Sequence, residues 1–142
     1  MNWTKAIVDD ARRLAEMNHH LIQDEGHRNP MTVSQLEERM RNWSLSGEYE
    51  AVLFGGPPAI AYALFRREPD SIYIRQFFVE RSLRRKGVGH AAIATLIREV
   101  LPQGTRITLE VLANNDAAVA FWASLGFQQY AITMELPPNR AS

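Results

Sequence analysis

Residues 71–100 read SIYIRQFFVE RSLRRKGVGH AAIATLIREV, and the change of period inside this stretch decides the fold. From Ser71 to Val79 the residues are largely β-branched and aromatic (Ile72, Tyr73, Ile74, Phe77, Phe78, Val79), the composition of a strand. After the glycines, Val88, Ala92, Ile93, Leu96, Ile97 and Val100 fall on one side of a helix, which Pro102 and Gly104 end. Between strand and helix lies Arg84-Arg85-Lys86-Gly87-Val88-Gly89-His90. Two glycines let the backbone come close to a ligand, the first amides of a helix lack intrahelical partners, and Arg81, Arg84, Arg85 and Lys86 crowd the approach. Such a turn suits a phosphate or pyrophosphate; the alternative is a solvated basic loop before an ordinary amphipathic helix.

Upstream, Asp9 or Asp10 is placed to cap a helix whose apolar positions Leu14, Met17 and Leu21 run to about Gln23. The polar run Asp24 to Pro30 reads as a loop. Thr32 with Gln35 forms a capping box, and Val33, Leu36, Met40 and Trp43 mark the buried face of a second helix that Ser46-Gly47 stops. Ala51 to Phe54 and Ala59 to Phe65 then read as two strands about the turn Gly55-Gly56-Pro57-Pro58, and Ser71–Val79 completes an antiparallel meander. Downstream, Ile107, Leu109 and Val111 alternate with polar residues as one more strand. Asn114-Asn115-Asp116 caps a helix with Ala118, Phe121 and Leu125 on its inner face, Gly126 closes it, and Phe127 to about Leu136 reads as a last strand. The result is a single α+β domain over residues 1–142 whose second half is a strand–helix–strand crossover, the connection that joins parallel neighbours.

Composition narrows the function classes. The 142 residues are 46% hydrophobic and 23% charged, and no apolar run approaches a membrane span. With no export pattern at the amino terminus, a cytoplasmic, membrane-free protein is expected. Sixteen basic residues balance sixteen acidic ones, which disfavours a nucleic-acid partner and makes the cations near Arg84 a local device. The absence of cysteine removes disulfides, thiolate metal sites and a covalent thioester on the protein. His19-His20 suggests no metal site, because adjacent helical residues diverge by about 100°.

The order of elements and three local patterns together resemble the GCN5-related N-acetyltransferase (GNAT) family, acyl-CoA-dependent transferases that mostly acetylate amines. The family's pyrophosphate loop, Arg or Gln, two residues, Gly, one residue, Gly or Ala, matches Arg84-Arg85-Lys86-Gly87-Val88-Gly89. Phe77-Phe78-Val79 stands where the family's strand backbone pairs with the pantetheine arm, and Asn115 to Phe127 is similar to its Asn, Ala, aromatic-pair, Gly-Phe signature. The resemblance implies a mixed central sheet, antiparallel in its first half with a splayed parallel pair in its second, flanked by about four helices. It implies acetyl-CoA as donor, without a metal, and direct transfer to a primary amine of a small molecule; a peptide or protein amine, or a non-catalytic acyl-CoA-binding module, are the alternatives. Phe77, Phe78, Val79, Arg84 to His90 with Val88, Asn115 and Trp122 are then the cofactor contacts, and a homodimer is possible.

The catalytic pattern departs from the family. Where many members place a tyrosine as acid for the departing thiolate, this chain has Trp122, whose indole N–H cannot serve at neutral pH. Tyr73 and Tyr130 are the substitutes to test. Members with a side-chain base often carry it at positions matching Tyr73 and Arg75; here Arg75 suggests either an anionic group on the acceptor or an ion pair inside the protein, and Gln76 can orient a substrate. The loop between the first two helices, which lies over the acceptor side in the family, carries His19, His20, Asp24, Glu25 and His27, and Glu25 is the preferred base, directly or through water. The oxyanion donor implied by the resemblance is a backbone N–H near Phe77 or Phe78.

Overall fold

A computed structural model describes residues 1–26 and 28–139; His27 lies outside them. The chain divides into two units, Met1–Leu112 and Ala113–Ser142.

In the first unit the order is β1 (Trp3–Lys5), α1 (Ala11–Glu25), α2 (Val33–Ser46), β2 (Glu50–Phe54), β3 (Ala61–Arg67), β4 (Ser71–Val79), α3 (Val88–Thr95) and β5 (Arg106–Leu109). The five strands form one sheet in the order β1-β2-β3-β4-β5, antiparallel except for the parallel pair β4–β5. A single 3₁₀ turn, Val8–Asp10, precedes α1, and Asp10 spends its carboxylate on the Ile7 amide (2.8 Å) instead of capping α1. The Thr32–Gln35 capping box forms as its spacing requires, with bonds of 3.2 and 2.9 Å, and left-handed Gly47 ends α2. α3 runs on into a π turn, Leu96–Val100.

One face of the sheet is covered by α1 and α2. Leu14, Met17 and Leu21 pack with Met40, Trp43, Leu53, Tyr62, Leu64 and Phe78. Burial of a side chain like Phe78 contributes about 1.5–3 kcal/mol, so this layer fixes where α1 ends over β4. α3 packs on β4 as well, with Ala92, Ile93 and Leu96 buried.

Two irregularities of β4 position everything that follows. Leu64 faces Gln76 and Phe65 faces Ile74, which leaves Arg75 as an extra residue, a β-bulge. β5 ends at Leu109, opposite Ile74, so from Arg75 to Val79 no strand flanks β4 on that side among the described residues.

The second unit contains α4 (Asp116–Ser124), capped by Asn115, whose Oδ1 accepts from the Ala118 amide at 3.1 Å. Gly126 follows with φ 95°. Ala118, Phe121 and Leu125 are only half-buried. The strand expected from Phe127 to Leu136 is absent: the segment has no regular structure, and Tyr130, Ile132, Met134 and Leu136 are exposed. Alternation marks which side of a strand is apolar, but a strand exists only through a hydrogen-bonded neighbour, and none pairs with this segment among the described residues.

Candidate active site

The basic turn emerges from the end of β4. Arg85 has φ 63° and Gly87 φ 81°, so two left-handed residues bracket Lys86 and bring the chain abruptly into α3. A non-glycine residue in that region carries a strain of about 1 kcal/mol, and such strain is concentrated at ligand-binding turns. The first intrahelical bond is Ala91 N–H to the Gly87 carbonyl at 3.0 Å; the amides of Val88, Gly89 and His90 precede it, and Gly87 has no side chain with which to cap them. A Cβ at Gly87 would meet nothing within 4 Å, so packing does not demand glycine there; the backbone conformation does, and the approach stays clear.

The four cations divide into two pairs with different tasks. Arg81 and Arg84 both bind Asp24 at the end of α1, at 2.7 and 2.6 Å. Arg84 also donates its Nε–H to the Val79 carbonyl (3.0 Å) and lies 5.3 Å from the centre of the Phe78 ring. Burial raises the Asp24 carboxyl, but hydrogen bonds and charge from Arg84 and Arg81 outweigh it and hold its pKa below the ordinary value. These two arginines fasten the turn to α1 and β4. Arg85 and Lys86 are exposed and have no ion pair among the described residues, so they present their charge to solvent.

Backbone direction separates Phe77, Phe78 and Val79. The Glu80 amide bonds the Ile60 carbonyl on the β3 side, which makes Tyr62–Phe78 the hydrogen-bonded pair and directs the peptide groups of Phe77 and Val79 away from β3, to the side on which β5 has ended. Val79's carbonyl is taken by Arg84. Phe77 therefore directs its backbone groups to that side of β4.

On the α1–α2 face of the sheet, Tyr62 of β3, fully buried, donates its hydroxyl to Gln76 Oε1 of β4 at 2.8 Å. Its pKa is held well above the ordinary value by burial, then by the charge of the half-buried Glu25, which is within electrostatic reach of Tyr62. Beside them Arg75 donates to the Tyr49 hydroxyl (3.3 Å) and lies 5.0 Å from the centre of the Trp43 ring, and Arg39 lies 4.7 Å from the same centre. Arg39 also donates to Asn18 Oδ1 at 3.2 Å. The structure thus brings Gln76 and Arg75 together on β4 with Tyr62, Arg39 and Asn18 nearby, and Glu25 acts on Tyr62 through its charge. Asn18 had a legible signal, a polar residue within the Leu14–Met17–Leu21 stripe; Arg39 and Tyr62 had none, because their roles depend on β4 and on each other.

Tyr73 donates its hydroxyl to Glu110 Oε1 at 2.7 Å, and burial, then the Glu110 hydrogen bond and charge, push its pKa up to about 12. It lies on the part of β4 still paired with β5. In the second unit, Trp122 packs edge-on against Phe121 and Phe127 (5.0 and 5.1 Å between ring centres), and Tyr130 is 84% exposed. Among the described residues, no group of three or more potential metal ligands assembles, and no helix is long and apolar enough to cross a membrane.

The family model for the acetyltransferase (GNAT) family matches residues 14–127. Among curated proteins, the chain is similar to the ribosomal protein bS18-alanine N-acetyltransferase of Escherichia coli, with 32% identity over 80 residues, covering 56% of this chain and 54% of that protein. The chain thus aligns with about half the length of the curated relatives it matches. Similar folds include a predicted acetyltransferase with acetyl-CoA from Clostridium acetobutylicum (TM-score 0.72, 19% identity, 96% and 95% of the two chains). An aminoglycoside N-acetyltransferase in complex with CoA is also similar (TM-score 0.75, 12% identity, 98% and 95%). A match to the family model that spans Leu14 to Phe127, from the first helix through the glycine turn to the Gly-Phe signature, establishes that the chain belongs to the GNAT acetyltransferase family.

Proposed function

We propose that the chain is an acetyl-CoA-dependent N-acetyltransferase that passes the acetyl group directly to a primary amine, with residues 1–142 acting as one domain. The observation that carries this reading is the end of β5 at Leu109: beyond Ile74 no strand flanks β4 on that side among the described residues, the glycine turn follows this part of the strand, and Gln76 lies on it bonded to Tyr62, with Glu25 in electrostatic reach of Tyr62. Bound acetyl-CoA would supply an activated acyl carbon and a thiolate leaving group with a pKa near ~8.5.

The residues fit that donor. The amides from Lys86 to His90, with the side chains of Arg85 and Lys86, hold the diphosphate, while Arg84 keeps the turn in place. The Phe77 peptide group faces the pantetheine arm and donates to the carbonyl oxygen as negative charge develops there. Glu25, directly or through water, takes the proton of the attacking amine. Asn115 and Trp122 are assigned to the donor by the sequence motif. Tyr73 is held by Glu110 and its raised pKa makes it a weak acid, so the thiolate leaves unaided or with Tyr130 as acid. A small acceptor is the primary reading. A peptide amino terminus is the second, favoured by the name of the Escherichia coli relative.

Glu25→Gln tests the assignment. Release of CoA from acetyl-CoA with a panel of amines should fall by about 10²–10⁴-fold in kcat/KM while acetyl-CoA affinity is kept. Tight acetyl-CoA binding without turnover of any amine or peptide by the unmodified chain would instead make it a sensing module.

A further inference from the structure

Several arginines of the first unit hold a carboxylate: Arg13 has Glu80, Arg81 and Arg84 share Asp24. Arg39 and Arg75 do not. Both guanidiniums lie against one indole, that of Trp43, and among the described residues no carboxylate comes within ion-pair reach of either. Among the described residues Arg75 hydrogen-bonds the Tyr49 hydroxyl and Arg39 the Asn18 side chain. Burial lowers the Arg39 pKa, and the charge of Arg75 lowers it further, so the two cations repel one another.

A second observation is independent of charge. Asn18 is 1% exposed and its Nδ2 has no partner; Arg39 Nε is buried and has none either. Both unsatisfied atoms are donors. Buried donors without acceptors are costly, and the group that satisfies them must bring lone pairs. Two planar guanidinium forks with spare N–H groups match the oxygens of a carboxylate or phosphate.

We propose that the acceptor of this enzyme is a small zwitterion, a primary amine that also carries a carboxylate or phosphate, whose anionic end is held by Arg39 and Arg75 against Trp43. The proposal rests on the acetyl-transfer reading above for the amine end and on the arginine pair for the other. Tyr62 feels the charge of both Glu25 and Arg39, so a carboxylate and a guanidinium stand within electrostatic reach of one buried side chain. That separation of charge complements an ammonium at Glu25 and an oxyanion at Arg39. Gln76, fixed by the Tyr62 hydroxyl and next to Arg75 on β4, offers a neutral contact.

The test has a binding arm and a kinetic arm. The side-chain Nε–H signals of Arg39 and Arg75 in nitrogen-15 spectra are followed during titration with malonate, inorganic phosphate and the neutral malonamide. Both signals should shift saturably with the anions and not with malonamide, and Arg75→Met should weaken the response of Arg39 by about 10- to 100-fold. In the kinetic arm, β-alanine and O-phosphoethanolamine are compared with β-alaninamide. An anionic amine should exceed the amide by a similar factor in kcat/KM, Arg75→Met should remove the advantage through KM, and Arg75→Lys should restore part of it; which anion wins separates carboxylate from phosphate. Flat arginine signals with both anions overturn the proposal, as does an anionic preference that survives in Arg75→Met, or a peptide amino terminus preferred to every anionic amine. Saturable anion binding without acetylation of any amine upholds the anion site and refutes the transferase reading alone.

Discussion

Asp24→Asn removes the charge that fastens the glycine turn to α1 while keeping the size of the side chain. The wild-type carboxylate makes two short pairs, with Arg81 at 2.7 Å and Arg84 at 2.6 Å. Its side chain is 21% exposed against 52% and 40% for the arginines, so each pair is partly screened by water. Discounted for that exposure, each contributes about 0.5–1 kcal/mol, and together about 1–2 kcal/mol. For a chain of this length the substitution should lower Tm by about 3–8 °C at neutral pH. Because the folded-state pKa of Asp24 lies below its unfolded value, this stabilisation is fully present above the unfolded pKa and is lost as pH falls through the folded one. The Tm difference between wild type and variant should therefore be level from about pH 5 to 8 and shrink below about pH 4. Scanning calorimetry across that range, with acetyl-CoA affinity measured in parallel, checks both parts. Equal Tm values at pH 7, or a difference that persists undiminished at pH 2, would show that Asp24 does not act as the ionised clamp described.

Other substitutions address neighbouring parts of the site. Gly89→Asp places a carboxylate among the first amides of α3 and should weaken acetyl-CoA binding by about 2–4 kcal/mol through like-charge repulsion and lost approach, read by isothermal calorimetry; wild-type affinity would remove the turn from the site. Gly87→Ala should cost about 1 kcal/mol of folding stability from its positive φ alone, since its Cβ meets nothing within 4 Å, and urea denaturation measures it. Asn115→Ala should cost about 1 kcal/mol by uncapping α4, with faster hydrogen exchange at the Ala118 amide as its local signature.

Local features were the legible ones. The capping box at Thr32, the stop at Gly47, the strand Ser71–Val79 and the Asn115 cap each depend on a few neighbouring residues, and each forms as its residues require. The strand at Phe127–Leu136 failed for the opposite reason, since its existence depends on a partner and not on its own alternation. The same distinction divides the site. Glycines and cations mark a phosphate turn by their spacing, but nothing in four nearby basic residues says that two are bound by a carboxylate about 60 positions away. The Arg39–Trp43–Arg75 arrangement is likewise invisible along the chain, because α2 and β4 meet only after the sheet is built.

The bulge at Arg75 changes how β4 addresses its two sides. A regular strand shows consecutive residues to opposite faces, yet Tyr62 and Leu64 pair with Phe78 and Gln76 while Arg66 pairs with Tyr73, so the extra residue shifts the strand's phase by one. Two adjacent polar side chains, Arg75 and Gln76, are thereby delivered to the α1–α2 side. Since Ile74 and Gln76 already oppose the consecutive residues Phe65 and Leu64, excising Arg75 would close the ladder without moving any other partner. Loss of a whole residue would thus spare the sheet and delete one guanidinium, making this position a natural place for related chains to gain or lose an acceptor contact by a single-codon insertion.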